Sequence, residues 1–349
     1  MRILLATEEL TVQPSEGLLV FVMHLCRYLS RHGDLTAVYA SGNPESTLRS
    51  LRLLSPRVLV SPGLVRHLRE ERYDTVIYIP SSGLTGFGLW RSLVIRSLSK
   101  SPTITIALQE RRVGTLHTLI SQFGCPDIVL TPVNGLIAKL DKLGINVDFI
   151  MPGYDDRIFK AVSKEVKMQL RKKYNLPPDR YLVLHVGHIR ESRNMQIFLQ
   201  YRRWGADILP VIKAGEVDPS WRDRLRNAGV IVIDEYIEHM NELYQVADCY
   251  LFPVHCRTGA LEFPLSVIEA SACNLPVLTT RFGALPDVIG ETDGFRYFSA
   301  ATEVPGLLAA LRMVPAETRE LVKDFTWEMV FSRYLMPQMQ QLAVIRERS

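Results

Sequence analysis

Short apolar runs of strand length alternate with longer stretches of helical spacing through most of this chain. Arg2 to Ala6 comes first, and in Leu18 to His32 the residues Leu18, Phe21, Val22, Leu25 and Leu29 share one helical face. Such alternation builds a parallel sheet covered by helices, because each parallel pair needs a crossover segment and each helix needs a partner for its apolar face. Further strands are expected at Leu35 to Ala40, Asp74 to Ile79, Thr103 to Leu108 and Asp127 to Thr131. The alternation is then interrupted. A strand after Ile145 ends in Pro152-Gly153, polar residues follow, and a basic helical segment, Lys164 to Tyr174, runs into Pro177-Pro178. It resumes at Leu182 to Gly187, Ile208 to Lys213, Val230 to Ile233, Cys249 to Pro253 and Val277 to Thr280. With 349 residues, more than one hydrophobic core usually covers, the reading is an α/β chain of two doubly wound domains facing each other.

Composition removes several classes. Five scattered cysteines without C-x-x-C spacing indicate neither a disulfide framework nor a zinc site, and a reducing cytoplasm is the expected setting. The net charge of +4 comes without basic tracts interleaved with aromatics, so no nucleic-acid partner is expected. Met1 to Ala6 starts like a signal peptide, but Glu8 and Glu9 end the apolar run and make it a first buried strand. No stretch approaches the roughly 18 apolar residues of a membrane span, so any membrane contact would be peripheral.

The chemistry concentrates between residues 257 and 283. There Glu262 and Glu269 flank the turn Phe263-Pro264-Leu265-Ser266, which opens a helix of small residues. The first N–H groups of a helix lack internal partners and favour an anion, with phosphate the obvious candidate. A carboxylate in the same helix can accept hydrogen bonds from vicinal hydroxyls, as ribose offers. Together they suggest a sugar nucleotide. In the first domain, the loops Thr7 to Gly17, Pro80 to Gly88 and Gln109 to Gly114 follow strand ends and are expected to line the acceptor's side.

In this order the segments resemble the retaining nucleotide-sugar glycosyltransferases of the GT-B fold, family four. Residues Val186 to Asn194, reading VGHIRESRN, stand where that family has Val-Gly-Arg-Leu and then Lys-Gly. Asn241 to Tyr244, Ala247-Asp248 and Phe252-Pro253 match its next conserved stretch, and Pro152 to Phe159 match its hinge. Phe325-Thr326-Trp327-Glu328 match the start of a C-terminal helix that crosses back to the first domain. The resemblance covers nearly the whole chain. It implies two Rossmann-like domains, 1–155 for the acceptor and 156–325 for the nucleotide sugar, with 326–349 packing back on the first.

What the resemblance implies chemically is retaining transfer from a nucleoside diphosphate sugar, a co-substrate, to a hydroxyl acceptor on a glycan, a lipid-linked sugar or a small molecule. No cofactor and no metal are expected, positive side chains and helix N–H groups taking the metal's place. Asp155-Asp156 is read as part of the hinge. By position, Arg193 replaces the family's phosphate-binding Lys, His188 stands for its second phosphate-binding Arg, and Arg190 offers a further charge. Gly17 and Gly187 allow close backbone approach; Phe263, Leu265 and Ser266 present amides to the diphosphate, while Pro264 has none. Glu269 is assigned to the ribose hydroxyls. A seven-residue gap before Glu269 falls on Leu261, so Glu262 reaches the donor sugar only through a one-residue shift in the turn. Arg193, Glu262 and Glu269 are thus the residues placed at the chemistry.

Gln109 stands where the family often has a His, and with Glu110 and Arg111 it marks the acceptor side; Arg112, Arg91 and Arg96 are expected around it, and His117 is read as a helix residue. Leu89 to Leu98 suits a packed amphipathic helix or an interfacial one, the second going with a lipid-linked acceptor. A sugar-nucleotide epimerase or phosphorylase on the same fold, or a catalytically impaired nucleotide-sugar binder acting as partner of an active transferase, remains as an alternative.

Overall fold

The computed structural model describes residues 1–14, 16–109, 113–256 and 261–347, and the chain divides into two compact units. The first is Met1–Pro152 with Trp327–Ser349 and the described part of Gly259–Phe263; the second is Gly153–Thr258 with Pro264–Thr326.

The first unit holds β1 (Arg2–Thr7), β2 (Asp34–Val38), β3 (Ser50–Leu51), β4 (Thr75–Ile79), β5 (Thr103–Ile106), β6 (Ile128–Thr131) and β7 (Val147–Phe149) in the order β3-β2-β1-β4-β5-β6-β7. All neighbours run parallel. The central strands are buried on both faces, as a sheet covered by helices on both sides requires. The chain winds out from β1 to β3 and then returns to β4 on the other side of β1, so the sheet has its switch point between β1 and β4. The Gly17–His32 helix buries Phe21, whose ring meets Trp327 edge-on at 5.8 Å and Phe331 at 5.4 Å, seating the C-terminal segment within this unit.

The second unit holds β8 (Tyr181–Ile189), β9 (Ile208–Val217), β10 (Ile231–Ile233), β11 (Cys249–Phe252), β12 (Val277–Thr280) and β13 (Phe295–Phe298), again all parallel, in the order β10-β9-β8-β11-β12-β13. Here the switch point lies between β8 and β11. At the opposite, amino end of β8, Asp248 accepts from the Leu182 amide at 2.7 Å, from Lys167 Nζ at 2.6 Å and from Arg171 at 2.5 Å. Asp248 therefore pins the Lys164–Lys173 helix to the sheet, and its place in the sequence motif reflects structure rather than chemistry.

One expectation for the first unit is corrected. Arg91 is not on a ligand surface. It is 2% exposed, pairs with Glu8 at 2.6 Å, and donates to the carbonyls of Leu59, Ser55 and Val58 at 2.8–2.9 Å. Arg96 pairs with Asp127 at 2.8 Å and with the Cys125 carbonyl at 3.0 Å, its side chain remaining partly exposed. An Arg has several donors in a rigid fork, and where backbone carbonyls converge they claim it. Among the described residues no helix is long and apolar enough to cross a membrane.

Candidate functional site

In an open parallel sheet the loops on either side of the switch point diverge and leave a crevice beyond the carboxyl ends of the strands. In the second unit that crevice lies beyond Gly187 on β8 and Pro253 after β11. The β8 side is shaped by an irregularity. Gly187 pairs with Ala214, but Ile189 pairs with Val217, so His188 alone faces both Gly215 and Glu216. Such bulges re-aim side chains. Here the Glu216 amide donates to His188 Nδ1 at 2.9 Å.

Beyond β8 the chain turns through Arg190 into the short Glu191–Arg193 helix, and Asn194 takes a left-handed conformation with φ 58°, which Asn tolerates better than most residues. Its side-chain amide donates to the Pro253 carbonyl at 3.0 Å, closing the β8 loop against the end of β11. Arg193 is thereby held at 8% exposure, its amide bonded to the Arg190 carbonyl. Arg190 faces Glu216 at 3.8 Å, and its buried Nε has no hydrogen-bond partner among the described residues. Burial, then the charges of Arg190 and Arg193, hold the His188 imidazole below its usual pKa. Beneath it His185 is fully buried, its Nδ1–H given to the Leu251 carbonyl at 3.0 Å and its pKa pushed down to about 4, chiefly by burial.

The β11 side is built from two tyrosines. Tyr250 donates to the Val186 carbonyl at 3.4 Å, and Tyr244, in the Met240–Val246 helix, packs against it with ring centres 5.8 Å apart. The Tyr244 hydroxyl donates to Glu269 Oε2 at 2.7 Å. Glu269 lies in the Leu265–Ala272 helix, which follows Pro264 and ends at Asn274 in the left-handed region, where the Leu275 amide closes on the Ala270 carbonyl at 3.1 Å. Burial raises the Glu269 carboxyl to about 7, against the Tyr244 hydrogen bond, which favours the charged form. A half-buried carboxyl supported from one side and titrating near neutrality suits a site that receives hydroxyl donors from the other.

Of the residues singled out from sequence, the second unit gathers Gly187, His188, Arg190 and Arg193 at the end of β8, and Pro264, Leu265, Ser266 and Glu269 on the helix entered after β11. Leu265 and Ser266 form its first turn, where amides have no helical partner. The others sit in the first unit. Gly17 starts the Gly17–His32 helix; Phe263 and Glu262 are buried at 0% and 1%, and the Glu262 amide bonds to the Leu108 carbonyl at 3.2 Å, just before half-buried Gln109. Glu110, Arg111 and Arg112 lie outside the described residues. His117 accepts from the Gly114 amide at 3.2 Å and contacts the Leu84 carbonyl at 3.0 Å, a buried helix residue as read. Sequence reasoning missed Gly215 and Glu216, which no local signal marks, and Tyr244 as the partner of Glu269, which the Leu243-Tyr244 motif carried without its reason.

The first unit's switch point is filled from within. The Glu8 carboxylate, between β1 and β4, accepts from the Ser81 amide at 2.6 Å, from Tyr78 at 2.8 Å and from Arg91 at 2.6 Å.

Residues 180–314 match the family described as Glycosyl transferases group 1. The D-inositol 3-phosphate glycosyltransferase of Segniliparus rotundus is 22% identical over 375 aligned positions, covering 89% of this chain and 82% of that protein. Among solved structures, a glycosyltransferase from Rickettsia africae is similar with a TM-score of 0.78 at 12% identity, over 99% of each chain. HepE of Anabaena, in complex with UDP, is similar with a TM-score of 0.73 at 12% identity, over 100% of each chain.

Proposed function

We propose that this GT-B glycosyltransferase, whose second unit carries the group 1 match, moves a sugar from a nucleoside diphosphate sugar to a hydroxyl acceptor, with retention at the anomeric carbon and without a metal ion. The observation that carries the reading is the convergence, at one switch point, of Arg190, Arg193 and the first-turn amides of Leu265–Ala272 with a carboxyl at Glu269. The cations and amides stabilise the charge that grows on the diphosphate as the glycosidic bond breaks. The leaving phosphate oxygen takes the acceptor's proton, so no separate base is needed. Glu269 accepts from the ribose hydroxyls. Gln109, with Glu110 and Arg111, marks the acceptor side. UDP bound to the similar HepE makes a uridine donor the first to try.

The expected result is that one member of a nucleotide-sugar panel raises the melting temperature, and that NMR of the transferred sugar shows the donor's anomeric configuration. An inverted product would end the retaining assignment. Interconversion of the donor without an acceptor would identify an epimerase instead.

A lipid-linked acceptor at a membrane surface is favoured by one feature of the first unit. Phe87 and Trp90 on the Gly86–Ser99 helix and Leu116, Leu119 and Phe123 on and after Thr115–Ser121 are all exposed, Phe123 at 77%. The two helices meet where Leu116 packs over Gly86, so closely that a Cβ at Gly86 would lie 2.4 Å from the Leu116 side chain. Aromatic and leucine side chains displayed in this way suit the headgroup boundary. The protein is expected to sediment with phosphatidylglycerol vesicles, and Trp90→Ser with Leu119→Ser to weaken that partition by about tenfold or more. Equal sedimentation of the double variant would remove the membrane reading.

A further inference from the structure

We infer that Gly215 and Glu216 are positioning residues that fix His188 as a neutral imidazole whose Nε2–H, not its charge, is offered to the diphosphate. This rests on the donor reading above. The β8–β9 ladder skips a residue only opposite His188, leaving the Glu216 amide to donate to Nδ1 at 2.9 Å. An N–H aimed at Nδ1 forces the proton onto Nε2, since a ring protonated at Nδ1 would set donor against donor. Gly215 makes the approach possible: a Cβ there would lie 2.9 Å from Nδ1. With Nδ1 occupied in this way, Nε2 is the ring nitrogen left to donate to a ligand.

Burial comes first, and the charges of Arg190 and Arg193 add to it, in opposing a second proton; Glu216, whose carboxylate lies 3.8 Å from Arg190, acts the other way and more weakly. Phosphate thus meets two guanidinium groups and one neutral donor. Position 188, which the resemblance equates with a cation, contributes a hydrogen bond of fixed direction.

Histidine-labelled ¹⁵N spectra test the positioning directly, His188 being assigned by its disappearance in His188→Gln. Expected is a neutral ring carrying the Nε2–H tautomer at pH 7; an Nδ1–H tautomer, or an imidazolium at pH 7, overturns the proposal. Gly215→Ala, whose methyl displaces the ring, should abolish that tautomer signature. UDP is the probe for the donor half. His188→Gln, whose side-chain amide can stand in for Nε2–H, should retain most of the UDP affinity, while His188→Leu should lose about tenfold, one neutral hydrogen bond. Equal affinities for the two variants overturn it. The tautomer is read without ligand, so a wild-type protein that binds neither UDP nor any nucleotide sugar sinks the donor reading while the spectra still decide the positioning.

Discussion

Glu269→Ala is expected to abolish thermal protection by the nucleotide sugar, with donor affinity falling by a factor on the order of 10² or more. Two hydrogen bonds from ribose to a carboxylate are worth about 1.5–3 kcal/mol each. Arg193→Ala should match it by removing a guanidinium from the phosphate. Protection that survives both substitutions would remove the site from the end of β8. The elevated pKa of Glu269 makes the test sharper. Donor hydroxyls bind the ionised form, so affinity should be level above pH 7 and fall by up to tenfold per unit below it, with protons released on binding in that range. The free protein should behave in the opposite sense. A carboxyl raised from an ordinary 4.5 to about 7 costs stability in its charged form, so this contribution declines as pH rises between those values. Glu269→Gln should recover up to about 3 kcal/mol at pH 8 while losing the donor. A variant that binds donor with the wild-type pH profile would show that Glu269 does not touch it.

Arg91→Ala is expected to destabilise the first unit by about 3 kcal/mol, because it leaves the half-buried Glu8 carboxylate without its cation, held only by Tyr78 and the Ser81 amide. Three carbonyls of residues 55–59 lose their donor at the same time. The loss should be largest for Arg91→Ala alone and smaller for Arg91→Met combined with Glu8→Gln, which removes both charges; urea unfolding at pH 7.5 would report both. A single-variant loss below about 1 kcal/mol would mean that water or another cation satisfies Glu8, and the internal filling of this switch point would fall with it.

Most strands were legible because a parallel strand buried on both faces tends to be an apolar run, as in β1 from Ile3 onward and β4. The misses were at the edges. β3 is two residues long and β13 reads Phe-Arg-Tyr-Phe, and an edge strand bonded on one side needs no such run. At the candidate site, the ordered motifs placed Gly187, Arg193 and Glu269 near a common ligand. They gave no sign that Arg91, expected on the acceptor side, is buried and bonded to the protein's own carbonyls.

That difference has a physical cause. Periodicity and motif order are local properties of the chain, and they determined the α/β class, the two sheets, the interruption near Pro152 and the helix that carries Glu269. Partnerships are properties of space. His188 and Glu216 meet because of a bulge across 28 residues, and Tyr244 reaches Glu269 across 25. Glu8 reaches Arg91 across 83. Which charge is spent on the protein's own carbonyls, which ring is held neutral and which carboxyl titrates near pH 7 depend on burial and on those contacts, and they exist only once the sheets have closed.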